Sequence, residues 1–214
     1  QHKLELVCPE RCEALQLRDD AAELTLANGR RLHARLVVAA DGMHSWARQA
    51  AGIGVREKAY GQMGVVANFA CAKAHHNTAY QWFREDGVLA YLPLPGERMS
   101  MVWSTADAHA AELLSLPADA LCARVAEAGK DTLGQIELLS APMQFPLASL
   151  HAARLAAPRI ALIGDAGHVL HPLAGQGVNL GFSDAAALAR VLLQRELFRD
   201  PGEINLLRRY ERAR

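Results

Sequence analysis

Residues 159–181 read RIALIGDAGHVLHPLAGQGVNLG, and this stretch decides the fold class of the chain. The apolar run 160–163 is typical of a buried strand in an α/β sheet. Asp165 follows that run at its carboxyl end, where ligands of such sheets bind. Gly175 and Gly177 leave the main chain without Cβ atoms, so that a ligand can approach it closely. We therefore expect a binding site for a large ligand that carries hydroxyl groups and negative charge.

The composition limits the class of protein. The chain has 214 residues, of which 51% are hydrophobic and 21% charged, as in an ordinary folded protein. Lys+Arg and Asp+Glu both number 23, and this balance argues against a nucleic-acid surface. No apolar run is long enough for a transmembrane helix. The four cysteines, Cys8, Cys12, Cys71 and Cys122, are scattered, which indicates reduced thiols rather than a zinc site.

Two motifs resemble those of a known family. The pattern Gly-Asp-Ala-x-His-x-x-x-Pro-x-x-Gly-Gln-Gly-x-Asn-x-Gly at 164–181 resembles the second flavin motif of the FAD-dependent aromatic hydroxylases. Its second half is most similar to the ubiquinone-biosynthesis, or 2-polyprenylphenol, hydroxylase branch. Residues 40–48, ADGMHSWAR, are similar to the family's Asp-Gly-x-x-Ser-x-x-Arg motif. A softer likeness to the family's substrate-side strands covers residues 81–84, 89–96 and 100–104.

The resemblance implies an α/β (α+β) fold. It combines part of an FAD-binding Rossmann-like domain with an antiparallel-sheet substrate domain, as in the p-hydroxybenzoate hydroxylase-like fold. We expect residues 1–58 to form a partial FAD-binding domain and residues 59–150 to form the substrate-binding sheet with two helices. Residues 151–214 would return to the FAD-binding domain and end in a helix.

The resemblance also implies roles for the residues of the second motif. Asp165, preceded by Gly164, would accept hydrogen bonds from a ribose or ribityl hydroxyl; the alternative role is an N-cap. Pro172 would stiffen the segment that faces the flavin. Main-chain donors at a helix N-terminus would stabilise negative charge on the flavin ring, although the same glycines also suit an ordinary turn. These donors are the amides of Gly175, Gln176, Gly177, Val178 and Asn179.

The first motif is expected to lie near phosphate groups. Asp41, Gly42 and Arg48 would flank the FAD pyrophosphate and the approach path of the nicotinamide nucleotide, because a guanidinium binds phosphate through two parallel hydrogen bonds. The alternative is an Asp–Arg pair that fixes a strand-to-helix turn. His168 and His171 lie three residues apart, but no third ligand is near them in the sequence. We expect a structural role for both and no metal.

Hydrophobic patterns predict the other elements. Predicted strands are 4–7, 12–17, 23–26, a central and doubly covered 36–40, an antiparallel meander of 64–71, 78–84, 88–92 and 98–104, and a return strand 137–145. Predicted helices are 45–51 with Ser45 as N-cap, 106–114, 117–128 and 178–193. Six residues of the meander either line a pocket for an isoprenoid tail and a phenol ring or, more simply, pack in the core: Trp82, Phe83, Tyr91, Met99, Met101 and Trp103.

The family's opening Gly-x-Gly-x-x-Gly motif is absent. After Gly52 and Gly54, Glu57 stands where the third glycine would be. We therefore expect an internal fragment of a longer hydroxylase that is inactive alone. The alternative is a truncated paralogue that binds lipid or a partner protein without chemistry.

The resemblance implies an FAD-dependent monooxygenase that uses NADH or NADPH and O2 to hydroxylate an aromatic ring. The expected substrate is a polyprenylated phenol in ubiquinone biosynthesis, and the alternative is a soluble aromatic compound or polyketide. The flavin carries the chemistry, so no catalytic side chain is identified. Because the substrate is a lipid, we expect a cytoplasmic protein with peripheral contact to the inner membrane or to a ubiquinone-biosynthesis complex.

Overall fold

The computed structural model describes residues 4–171 and 175–214, and the chain divides into two compact units. The discontinuous unit contains residues 1–58 and 149–214. The inserted unit contains residues 59–148. The mixed α/β class with antiparallel sheets, which the resemblance implied, is confirmed by the elements of the two units.

The elements are as follows. The strands are β1 (Cys12–Leu17), β2 (Ala22–Leu26), β3 (Arg31–Ala34), β4 (Val37–Ala39), β5 (Val55–Cys71), β6 (Tyr80–Arg84), β7 (Gly87–Leu94), β8 (Arg98–Ala106), β9 (Ile136–Leu138), β10 (Met143–Ala152), β11 (Ala156–Ala157), β12 (Ile160–Leu162) and β13 (His168–Val169). The helices are α1 (Trp46–Ala50), α2 (Asp107–Ser115), α3 (Ala118–Ala128), α4 (Gly177–Leu193) and α5 (Ile204–Arg212). A 3-10 turn, called here the 164–166 turn, covers Gly164–Ala166.

Two small sheets organise the discontinuous unit. One is an antiparallel meander, β1-β2-β3. The other has the order β11-β12-β4, with β12 antiparallel to β11 and parallel to β4. In the parallel pair, Val37 lies opposite Ile160 and Ala39 lies opposite Leu162. Because the two strands run in the same direction, they end at the same edge of the sheet, called here the carboxyl edge.

Strand β12 is covered on both faces, as its apolar sequence predicts. Ile160 and Leu162 pack in one cluster with Ala39 and Ala47. Ala161 packs in a second cluster that contains buried residues of α4 and α5, Leu188, Leu207 and Tyr210. This division follows the period of two along a strand. The Tyr210 hydroxyl donates to the Leu162 carbonyl at 2.7 Å, which fastens α5 to the strand.

The inserted unit contains an antiparallel sheet in which β6, β7, β8 and β5 are neighbours in that order. Met99, Met101 and Trp103 alternate along β8 and are fully buried. They belong to one core cluster with residues of α2 and α3, including Leu113, Leu121 and Val125. The packing role expected for Tyr91, Met99, Met101 and Trp103 is therefore confirmed, whereas Phe83 is 77% exposed.

Helix α3 approaches the sheet of the inserted unit very closely at its end. The Tyr91 hydroxyl donates to the Val125 carbonyl. A Cβ atom placed on Gly129, which follows α3, would lie 2.2 Å from the Tyr91 hydroxyl oxygen. Glycine is therefore required at 129 for this contact. Burial raises the pKa of Tyr91, because the phenolate would lose its hydration.

Three predicted strands differ from the structure. Residues 4–7 form no strand, and Leu4 and Leu6 are 91% and 88% exposed, because alternation alone supplies no partner strand. Residues 36–40 were expected in a central strand, but among the described residues β4 pairs on one side only, and Val38 is 41% exposed. Residues 137–145 divide into β9 and β10 around Pro142, which lacks the N–H group that a central strand needs.

Candidate functional site

The two sequence motifs meet at the carboxyl edge of the discontinuous unit. The Ile163 N–H donates to the Ala39 carbonyl at 3.0 Å, so the chain segments leave β12 and β4 side by side. Gly42 and Gly164, which follow the two strands, have φ angles of +85° and +58°. Both angles lie in the left-handed region that favours glycine. Each motif therefore turns sharply at the end of its strand, where α/β sheets bind ligands.

Asp41 organises the loop after β4. Its carboxylate accepts from the Ser45 hydroxyl at 2.5 Å and from the Ala47 N–H at 3.0 Å. The Ser45 Oγ in turn accepts from the Arg48 N–H at 3.0 Å, so the predicted N-cap of α1 is confirmed. Because both carboxylate oxygens accept within the loop, Asp41 fixes the start of α1.

Arg48 joins the two motifs. Its side chain is buried, and its Nη1 and Nη2 groups donate to the carbonyls of Ala166 and Met43 at 2.8 Å and 2.9 Å. Its Nε atom is buried without a partner among the described residues. The structure therefore places the guanidinium on main-chain carbonyls of both motifs, and among the described residues it does not form the pair with Asp41 that the sequence left as the alternative. Contact of Arg48 with phosphate stays a prediction.

Asp165 has the placement that a hydroxyl-binding carboxylate needs. It lies on the 164–166 turn and is exposed. Within residues 4–171 and 175–214 its carboxylate forms no hydrogen bond or ion pair. Both oxygens can therefore accept from a ligand.

The start of α4 also presents main-chain donors, which have no side-chain cap among the described residues. Gly175 has a φ angle of +60°, and Cβ atoms placed on Gly175 or Gly177 would meet nothing within 4 Å. Gln176 is the N-cap residue but makes no side-chain capping bond, and Val178 and Asn179 are exposed. The first N–H groups of a helix have no partner within it. Pro172, a predicted member of this site, lies outside the described residues.

The 164–166 turn lies directly on α4. A Cβ atom on Gly181 would be 3.3 Å from the Cα atom of Gly164, so the absence of a side chain at both positions permits this approach. The two halves of the second motif, the turn and the helix, are thus held together by glycine-to-glycine packing.

The structure adds one residue that the sequence analysis missed, Asp184. This carboxylate is fully buried in α4 and accepts from the Gly164 N–H at 2.8 Å, His168 Nε2 at 2.6 Å and Arg214 Nε at 2.5 Å. The signal was present in the sequence, because Asp184 lies four residues before the buried Leu188, on the apolar face of the helix. A lone acid on such a face needs partners.

His168 is therefore engaged in a side-chain hydrogen bond with Asp184. Among the residues that the structure describes, no group of three or more His, Cys, Asp or Glu residues could hold a metal ion. No helix in the described part of the chain has the length and apolar character needed to cross a membrane.

Comparison with known proteins identifies the family of the chain. The family described as FAD binding domain matches residues 13–214. Ubiquinone hydroxylase UbiL of Rhodospirillum rubrum is 39% identical over 210 residues, which is 98% of this chain and 49% of that protein. The 3-demethoxyubiquinol 3-hydroxylase of Escherichia coli is 38% identical over 213 residues, which is 99% of this chain and 54% of that protein. The chain spans about half the length of these curated relatives.

A solved structure has the same fold. Pseudomonas aeruginosa PqsL in complex with 2-aminobenzoylacetate superimposes with a TM-score of 0.74 at 29% sequence identity, over 95% of this chain and 60% of that chain. The chain therefore belongs to the FAD-binding domain family, as the resemblance of its two motifs to the FAD-dependent aromatic hydroxylases of ubiquinone biosynthesis implied.

Proposed function

We propose that this chain forms part of the flavin site of an FAD-dependent monooxygenase that hydroxylates an aromatic ring. The observation that carries the proposal is the exposed carboxylate of Asp165 at the carboxyl edge, which has no partner among the described residues and lies beside the start of α4, where Gln176 makes no side-chain capping bond. A hydroxyl-rich and negatively charged ligand suits this pairing of an acceptor with donors. The relatives named as ubiquinone hydroxylases favour a polyprenylated phenol or quinol as the substrate.

The residues at this edge fit FAD. Asp165 would accept from a ribose or ribityl hydroxyl, and the amides at 175–179 would donate to the pyrimidine edge of the ring. Donors that are already fixed stabilise negative charge there with little reorganisation. When bound, FAD supplies the redox chemistry, with NADH or NADPH as reductant and O2 as the oxygen source. Asp41 and Arg48 would keep the neighbouring loop in place for the phosphate groups.

Flavin binding and substrate contact are assigned to different units. We assign flavin binding to residues 1–58 and 151–214 and substrate contact to residues 59–150. Because a polyprenylated substrate partitions into lipid, we propose a cytoplasmic protein with peripheral contact to the inner membrane or to a ubiquinone-biosynthesis complex.

A titration with FAD tests the proposal. We expect the purified chain to quench flavin fluorescence saturably. Asp165→Asn removes the charge from the acceptor at constant size, and hydrogen bonds to charged groups contribute about 1.5–3 kcal/mol, so the Kd should rise about tenfold to a hundredfold. Asp20→Asn, a substitution at an exposed aspartate in the bend after β1, is the matched control and should leave the Kd unchanged.

A second titration addresses the case in which this chain alone binds FAD only weakly. It joins a βαβ unit with the Gly-x-Gly-x-x-Gly motif ahead of residue 1 and repeats the titration. If neither protein binds FAD, or if Asp165→Asn and Asp20→Asn behave alike in the protein that does bind, the proposed function is wrong.

A further inference from the structure

The environment of Asp184 is unusual for a carboxylate. Its side chain has no exposed surface, although burial of an ionised acid is strongly unfavourable without partners. Three donors compensate it: a main-chain amide, an imidazole and a guanidinium, from Gly164, His168 and Arg214. These donors come from two separate stretches of the chain, residues 164–168 and Arg214. Asp184 is therefore the point at which the 164–166 turn, the start of β13 and the end of the chain are joined to α4.

The contact with Gly164 bears directly on Asp165. Gly164 is the first residue of the turn that carries Asp165, and its amide donates to the Asp184 carboxylate at 2.8 Å. At the other end of the same turn, the Ala166 carbonyl accepts from Arg48. The residue between these two anchors is the exposed Asp165. Its main chain is thus held from both sides, whereas its own side chain has no partner in the described part of the chain.

Asp184 also fixes the turn relative to the donors of α4. It lies three residues after Gly181, the residue that touches Gly164, and so on the same face of the helix. Loss of its charge would let the turn move away from α4 and change the distance between the Asp165 carboxylate and the first amides of the helix. A shift of this kind weakens the binding of a ligand that must reach both.

We propose that Asp184 is a positioning residue of the flavin site, which acts through Gly164, His168 and Arg214 and makes no contact with the ligand itself. This inference rests on the proposed function for the identity of the ligand. Helix α4 would thus serve the flavin site in two ways. Its first amides donate to the ligand, and Asp184 fixes the position of the Asp165 carboxylate.

A matched pair of substitutions tests the inference. Asp184→Asn keeps the size and one acceptor but removes the charge. Asp200→Asn is the control, because Asp200 also accepts from a glycine amide, that of Gly202 at 2.8 Å, and from the side chains of Arg35 and Arg159. Asp200 belongs to the same unit but contacts Arg159, which precedes β12, rather than the turn that follows it.

Two quantities are measured for each variant, the Kd for FAD and the chemical shift and hydrogen-exchange protection of the Gly164 amide. We expect Asp184→Asn to raise the Kd about tenfold or more and to expose the Gly164 amide to exchange. Asp200→Asn should change the Kd by less than about twofold and leave the Gly164 amide unchanged. This should hold even if Asp200→Asn lowers the unfolding midpoint of the chain as much as Asp184→Asn does. If Asp184→Asn does not fold, Arg214→Gln replaces it. This variant removes one partner of the same carboxylate, and we expect the Kd and the exchange of the Gly164 amide to change in the same direction.

The outcomes separate this inference from the proposed function. Equal Kd values for the two aspartate variants, with an unchanged Gly164 amide, would overturn the positioning role while leaving FAD binding intact. If the unaltered chain does not bind FAD, the proposed function has failed. The role of Asp184 in fixing the turn is then decided by the Gly164 amide alone, and an amide that is unaffected by Asp184→Asn overturns it.

Discussion

Replacement of Arg48 by methionine is expected to lower the free energy of unfolding of the discontinuous unit by about 3 kcal/mol. Methionine keeps much of the length of the side chain but removes two charge-assisted hydrogen bonds, those to the carbonyls of Ala166 and Met43. Each such bond contributes about 1.5–3 kcal/mol. Removal of the buried and unpartnered Nε offsets part of the loss, which brings the net value to the lower end of the sum.

The assay uses the three tryptophans of the chain. Trp46 begins α1 in the discontinuous unit, whereas Trp82 and Trp103 lie in the inserted unit. Fluorotryptophan labelling and ¹⁹F NMR in a urea titration follow the two units separately. The Trp46 resonance should report a lower midpoint in Arg48→Met. Arg18→Met, at a side chain that is 59% exposed, is the control and should stay within about 0.5 kcal/mol of the unaltered chain.

The result also decides between the two roles considered for Arg48. An arginine kept free for phosphate would make little difference to folding. If Arg48→Met leaves the Trp46 midpoint unchanged but abolishes FAD binding, the guanidinium serves the ligand, and the argument from its carbonyl contacts is refuted.

Two further expectations follow from packing and burial. Gly181→Ala places a Cβ atom 3.3 Å from the Gly164 Cα, so the main chain must shift. We expect this shift to outweigh the gain in helix propensity and to destabilise the chain by about 1 kcal/mol. A raised melting temperature in calorimetry would contradict this expectation. Burial raises the pKa of Tyr91 and of Tyr210. Above about pH 10 the unfolded chain therefore releases protons that the folded chain retains, and the free energy of unfolding should fall with rising pH. Urea titrations at several alkaline pH values that show no such fall would refute the burial argument.

Local signals in the sequence predicted much of the local structure around the candidate site. The apolar run before Asp165 became β12, and the predicted helix from 178 begins one residue earlier, at Gly177. Ser45 caps α1 as expected. These features depend on neighbours within a few residues, which a sequence shows directly. The placement of Asp165 at a strand end follows from the same local order.

Features that depend on distant partners could not be predicted in the same way. The Arg48 side chain donates to the carbonyl of Ala166, 118 residues away. No neighbouring residue in the sequence indicates this partner. Asp184 was missed, because its only local signal is that of an acid on the apolar face of a helix. The two-residue strand β13 owes its existence to pairing with Leu150 and His151 of β10. Leu4 and Leu6 alternate as in a strand but find no partner.

The inserted unit is continuous in the chain, whereas the carboxyl edge joins segments on either side of it. The hairpins β6–β7–β8 close over short distances, but Val37 can pair with Ile160 only after every residue between them has been synthesised. Contacts so distant in sequence form slowly. In a newly made chain, the hairpins of the inserted unit can therefore form before the carboxyl edge does. In a cell short of flavin, newly synthesised protein would remain longest in the state in which this edge is most open to proteases.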